Sequence, residues 1–161
     1  MWAMVDKLSA AERSRNMASI RSKDMKPELA VRKLAHRLGF RFRLHRKDLP
    51  GKPDLVFPRY GAVIFVHGCF WHQHEEPGCL DGRPPKSNSS YWGPKLGRNL
   101  ERDAQNKSKL EAQGWRVLAV WECETKKPEA LAAKIERFLR GKVCCPAAQG
   151  TGEASGSATK V

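Results

Sequence analysis

The segment VHGCFWHQH, Val66 to His74, sets Cys69 and the histidines His67, His72 and His74 close together, with Phe70 and Trp71 at its centre. The series continues as Cys69-x4-His74-x4-Cys79, and Cys123 follows a later apolar run. Three thiolates and one imidazole are a donor set that zinc takes in closed tetrahedral sites, which leave no coordination position for chemistry. The stretch Glu75 to Pro85 is rich in Pro, Gly and charge and poor in apolar groups, so a loop there needs a clamp. The competing reading makes the cysteines small buried hydrophobes and His74 a surface residue. With His74 committed to a metal, His72 is left for other work, and a neutral imidazole near pH 7 can accept a proton from water beside a bound phosphate. His67 could donate a hydrogen bond to the same phosphate. Taken alone, either histidine would be read as exposed and idle.

Asp54 stands directly after Pro53 at the start of an apolar strand. A lone carboxylate beside a buried sheet is costly unless it is paired or binds a cation, although Pro-Asp pairs also cap turns through their own backbone. The next strand, Ala62 to Val66, runs straight into His67, so neighbouring strands would bring Asp54 and the histidines to one sheet end. Asp103 follows Leu96 and Leu100 at helical spacing and is expected on the apolar stripe with Asn99 one turn earlier. An inward carboxylate suits an imidazole N–H, whose tautomer it fixes; a local salt bridge to Lys107 or Arg102 accounts for the same periodicity. Phe70 and Trp71 are read as core, yet duplex-binding proteins also drive apolar wedges between base steps, and Trp92 and Met17 lie in polar, basic settings that suit the same use.

The elements that must position these residues follow from composition and period. The chain has 161 residues, with 30 Lys and Arg against 17 Asp and Glu, a net charge of +13. One domain with a basic surface is expected, and a polyanionic partner, nucleic acid before membrane. No stretch approaches the roughly 18 apolar residues of a spanning helix, so a soluble, intracellular protein is expected, in which cysteines serve as metal ligands or plain thiols. A first basic helix begins at the capping box Ser9/Glu12. A second runs from Lys26 to Leu38, with Val31, Leu34, Ala35 and Leu38 on one face and Gly39 as its stop. Phe40, Phe42 and Leu44 alternate with Arg41, Arg43 and His45 as a strand with one basic face. AVIFV and RVLAVW read as central strands covered on both faces. Tyr91 to Gln113 reads as a long helix closed by Gly114, and a final helix carries Leu131, Ile135, Phe138 and Leu139 on one face. This order implies an α/β sandwich around a mixed sheet over residues 1–142, followed by a disordered Gly/Ser/Ala-rich tail, 143–161.

The motifs RSRNMASIRSKD, LPGKPDLVF, VHGCFWHQH, YWGPKLGRNLERD and GWRVLAVWEC, in this order, resemble the very short patch repair (Vsr-type) mismatch endonucleases of bacteria. The resemblance covers Lys7 to Leu139. It implies an α/β, restriction-endonuclease-like (PD-(D/E)XK-related) core and a magnesium-dependent endodeoxyribonuclease that nicks 5′ of the T in T:G mismatches left by 5-methylcytosine deamination. By resemblance, Asp54 and the backbone carbonyl of Val66 hold magnesium. His72 is the general base oriented by Asp103, and His67 and Glu28 complete the catalytic surroundings. Structural zinc is held by Cys69, His74, Cys79 and Cys123. Phe70, Trp71, Trp92 and Met17 intercalate, and Arg13, Arg15, Asn16, Arg21 and Asn99 contact DNA. The expected setting is a bacterial cytoplasm, at the nucleoid, with the protein as a monomer on double-stranded DNA and repair proteins as further partners. The chain departs from the family pattern in its longer His74 to Cys79 spacing and in Val66 where Thr is frequent. Where related nucleases carry Glu-x-Lys after Pro-Asp it reads VHG, so a histidine must do the lysine's work. A zinc-stabilised noncatalytic DNA-binding module is the alternative, and zinc-dependent hydrolysis of another phosphoester is a third reading.

Overall fold

A computed structural model describes residues 9–19, 24–83 and 88–141. Arg21, the pair Cys144 and Cys145, and the 143–161 tail lie outside the described residues. The first helix, α1 (Ala10–Ser19), opens on the reciprocal cap expected from its sequence. The Ser9 amide and hydroxyl donate to Glu12 Oε2 at 2.9 and 2.7 Å, and the Glu12 amide donates back to Ser9 Oγ at 3.3 Å. Helix α2 (Lys26–Arg37) starts with Pro27 in its first turn, where a missing N–H costs nothing. It stops at Gly39, whose φ is +86°, so that the amides of Gly39 and Phe40 return to the carbonyls of His36 and Ala35.

That closure shortens the strand expected over Phe40 to His45. Phe40 is already spent in ending α2 and is buried there, while His45 turns to φ +45°. Only Arg43–Leu44 remains as β1, with Leu44 exposed. β2 (Leu55–Phe57), β3 (Ala62–His67) and β4 (Arg116–Trp121) complete a sheet in the order β1-β2-β3-β4, the first two pairs antiparallel and β3/β4 parallel. RVLAVW is therefore an edge strand among the described residues and is only half-buried along most of its length, not the doubly covered central strand its apolar run suggests. Crossover helix α3 (Ser89–Ala112) and the last helix, α4 (Pro128–Arg140), flank the sheet.

Alternation along the strands divides the core into two layers. Leu55, Phe57, Ala62, Ile64 and Val120 face α2 and α4, where they meet Val31, Leu34, Leu131, Ile135 and Leu139. Val56 and Val63 face the other way, against Leu110 of α3 and Leu49, with Phe65, Trp115 and Val117 at the margin. Asp54 and His67 have the parity of this second face, which fixes the side of the sheet on which the polar groups assemble.

One side chain ties the outer helix to the sheet. The Arg116 guanidinium donates to the carbonyls of Phe138, Leu139 and Gly141 at the end of α4 and to Tyr60 before β3, at 2.5 to 3.3 Å. Several carbonyls that the helix end leaves unpaired are thereby satisfied by one cation. Arg116→Ala is expected to lower stability by about 2–3 kcal/mol, read as an earlier urea midpoint with an unchanged slope. Arg116→Lys should recover only part of this, because an ammonium lacks the planar fork.

Candidate active site and metal-binding cluster

A cleft of about 1000 Å³ opens on the α3 face of the sheet. Asp54, Val66, His67, His72 and Asp103 line it, together with His45, Lys47, Lys52, Arg102 and Lys107. It lies at the carboxyl ends of the parallel pair β3/β4, the customary ligand side of such strands. Its far wall is set by Gly51, whose φ is +72° and where a Cβ would stand 2.8 Å from Asn106 Nδ2, so only glycine lets the LPGKPD turn come this close to α3.

Asp54 sits where the β2 ladder gives way to the turn, and the Val66 amide donates to its Oδ2 at 2.7 Å. It does not close the turn on itself. Burial pushes its carboxyl above the usual range and the nearby Glu28 carboxylate adds to this; the Val66 N–H and the charges of His45 and Arg32 offset only part. A bound cation would relieve the same strain.

Asp103 of α3 accepts a hydrogen bond from Nδ1 of His72, and neither Lys107 nor Arg102 takes its place as an ion-pair partner. Burial raises the Asp103 carboxyl, but the His72 hydrogen bond, with the charges of His72, His67 and Arg102, outweighs it and holds the group below the ordinary carboxylate range. Leu100, expected on the same apolar stripe, is exposed, whereas Leu96 is buried. Asp103 thus turns inward toward the imidazole and not toward a core. His67 stacks on His72 with centroids 3.9 Å apart and planes 5° from parallel, and meets Trp121 edge-on at 5.3 Å. Burial, and then the neighbouring His72, lower His67 to about 4, so at neutral pH it is an uncharged ring stacked on His72.

Glu28, on α2, is buried and reaches the cleft only through partners. Arg32 donates to its Oε1, the Asp24 amide donates to Oε2 at 2.8 Å, and His45 Nε2 lies 2.9 Å from Oε1. Sequence reasoning passed over Arg32 and read His45 as one of the basic-face residues of a strand. Extending the β1/β2 register, Leu44↔Leu55, by one residue sets His45 opposite Asp54, a pairing visible only once the register is known.

The second cluster lies behind the first. The ligand atoms of Cys69, His74, Cys79 and Cys123 all fall within 4.8 Å of one another, and His74 Nδ1 is 3.8 Å from Cys69 Sγ and 3.4 Å from Cys123 Sγ. In a tetrahedral Cys3His site the N to S edge is about 3.6 Å for metal bonds of roughly 2.05 and 2.3 Å. Burial pushes the Cys69 thiol up to about 12 and raises Cys123 as well; a metal ion would displace those protons. Cys79 is buried and takes its place despite the long spacing from His74, through a turn in which its amide donates to Glu76 at 2.8 Å. His72 and His74 separate because the segment is folded into consecutive turns, with Gln73 at φ +51°. Strand alternation would have placed them on one face.

The aromatics form a cluster of their own, apart from both core layers. Phe70 meets Trp71 and Trp92 edge-on at 5.0 and 5.2 Å, and Lys95 Nζ lies 5.3 to 5.8 Å over the rings of Tyr91, Trp92 and Trp71. Trp92 is buried under its neighbours, not set in the polar surroundings its sequence suggests, whereas Phe70 and Trp71 are half-buried. Asn99 Nδ2 donates to the Trp71 carbonyl at 3.1 Å and so supports this segment. On α1, Arg15 and Asn16 are exposed; the side chains of Arg13 and Met17 are not among those described.

A mixed α/β fold with a carboxylate and a His-Asp pair in one basic-rimmed cleft, and a cysteine-histidine cluster beside it, has the make-up of a metal-assisted hydrolytic centre. The model of the family DNA mismatch endonuclease Vsr matches residues 5–77. The chain is 52% identical over 136 residues to type II nicking enzyme V.XorIIP of Xanthomonas oryzae pv. oryzae, covering 84% of this chain and 98% of that one. It is 40% identical over 144 residues to DNA mismatch endonuclease Vsr of Escherichia coli, covering 86% and 90%. A structural match to the homing endonuclease I-Bth0305I catalytic domain has a TM-score of 0.48 at 16% identity, over 71% of this chain and 94% of that one. The chain belongs to the Vsr family of DNA mismatch endonucleases.

Proposed function

We propose that the protein is a strand-specific DNA endonuclease that nicks 5′ of the T in a T:G mismatch and so begins very short patch repair. The observation that carries the chemistry is the pairing of His72 with Asp103 in the same cleft as Asp54. With Nδ1–H given to Asp103, the basic lone pair of His72 is on Nε2. His72 takes the proton of the attacking water there, and Asp103 balances the imidazolium that forms. Lys47, Lys52, Arg102 and Lys107 along the rim suit the phosphates of a duplex, as does a net charge of +13.

The donor set around Asp54 fits magnesium, a hard cation that takes one or two carboxylates and keeps several waters. Asp54 would hold it with the Val66 carbonyl, which leaves β3 on the same side as the amide bound to Asp54. Extended by two residues, the β2/β3 register sets Pro53 opposite Val66, and proline has no N–H with which to occupy that carbonyl. When bound, the cation supplies charge neutralisation and polarisation at the scissile phosphate. His67 borders the site, and Glu28 reaches it through His45. The Cys69, His74, Cys79 and Cys123 cluster is read as structural zinc; four protein ligands leave no open position, which argues against hydrolysis at that metal.

Phe70 and Trp71, with Trp92 behind them, are read as the wedge that enters the stack beside the mismatch, and Met17, Arg13, Arg15, Asn16, Arg21 and Asn99 as further duplex contacts. No described helix is long and apolar enough to cross a membrane. Incubation with a T:G duplex tests the reading against a noncatalytic DNA-binding module. Nicking with magnesium that stops in EDTA is the expected result, and binding without nicking under any divalent cation would refute the enzyme.

A further inference from the structure

His45 has specific surroundings and no role in the scheme above. Its φ of +45° is a conformation uncommon outside glycine and asparagine, and its ring lines the cleft. Nε2 lies 2.9 Å from Oε1 of the buried Glu28. Arg32 Nη2, which can only donate, is 2.8 Å from the same nitrogen. Nε2 is thus engaged by the Glu28–Arg32 pair of α2, and Nδ1 is left facing Oδ1 of Asp54 at 3.9 Å. That separation is too long for a direct hydrogen bond, but one water spans it.

We propose that His45 is a positioning residue for nicking. Held at Nε2 by Glu28 and Arg32, it presents Nδ1 to a water of the hydrated divalent cation held at Asp54. The inference rests on the metal-dependent reading given above, and it assigns Glu28 and Arg32 the task of fixing His45 across the gap from α2 to β2.

The test uses full-length His45→Ala, His45→Gln and His45→Asn. Magnesium is titrated in T:G nicking, and Mn²⁺ binding to the DNA-free protein is read by EPR. His45→Ala is expected to raise the magnesium needed for half-maximal nicking and to weaken Mn²⁺ binding, each by about tenfold or more, as when other outer partners of metal ligands are removed. Duplex affinity in EDTA should not change. Gln, whose amide can hydrogen-bond the same water, should recover most of the metal affinity; Asn, which tolerates the left-handed backbone but is shorter, should not. Unchanged metal dependence in His45→Ala, or equal losses in Ala and Gln with lowered melting temperatures, would overturn the proposal. If the unaltered protein fails to nick, the functional reading falls, and the Mn²⁺ measurement, which needs no turnover, still decides the role of His45.

Discussion

Asp54→Ala is expected to abolish nicking of a T:G duplex while leaving its binding intact. The carboxylate lines the cleft at the sheet end, with Oδ2 fixed by the Val66 amide. A cation polarising a phosphoryl oxygen is worth several kcal/mol of barrier, so its loss should cost on the order of 10³-fold or more in rate. Binding should persist because Asp54 touches neither the basic rim nor the aromatic segment, the proposed duplex contacts. The substitution removes a carboxyl that burial holds above its usual range but also the acceptor of the Val66 amide, so the two effects on stability oppose each other. Rates from labelled duplexes at saturating protein, with gel-shift affinities alongside, check both halves. Nicking within tenfold of the parent would refute the assignment.

Loss of the cysteine-histidine metal should be felt mainly in the fold. Metal analysis is expected to find one zinc per chain, and Cys123→Ala or a strong chelator should lower stability by roughly 5 kcal/mol, a large part of what a domain of this size has. The residues around it explain why. The stretch from His74 to Gly82 has few apolar anchors, and Gly82 is buried so close against the His74 backbone that a Cβ could not be accommodated. Releasing Cys69 and His74 would free the turns that carry His72, so activity should fall with stability even though none of the four cluster residues lines the cleft. A Cys123→Ala protein that is zinc-free and melts with the parent would show that the cluster is only a set of buried thiols.

Much of this was legible in the sequence where one local rule decided the outcome. The Ser9/Glu12 cap, the Gly39 and Gly114 helix ends, and the apolar stripe of α4 depend on residues a turn apart, and all appear in the structure. The Cys and His spacings point to one group of Cys69, His74, Cys79 and Cys123, which the structure brings together, and periodicity turns Asp103 toward an imidazole, although a nearby Lys or Arg explains the pattern as well. What could not be read depends on contacts between distant elements. RVLAVW is apolar enough for a sheet centre, and only the strand order sets it at an edge. The Phe40 to Leu44 alternation promised a longer strand because it carried no sign that Phe40 would be drawn into the end of α2. His45 looked like one more basic-face residue; its partners Glu28 and Asp54 come from a helix and a strand whose meeting no sequence spacing records. The two large aromatics in VHGCFWHQH follow the same rule, packing on Trp92 from a helix that begins well beyond them.

Mapping the cut decides whether nicking is strand-specific at a T:G mismatch. Duplexes carrying T:G, A:C or a matched C:G pair in one sequence frame, each strand labelled separately, would be incubated with the protein and magnesium and the products sized to the nucleotide. A single nick is expected in the T-bearing strand on the 5′ side of the mismatched T, with the G-bearing strand and the matched duplex intact. Equal cutting of matched and mismatched duplexes, or cuts in both strands, would contradict it.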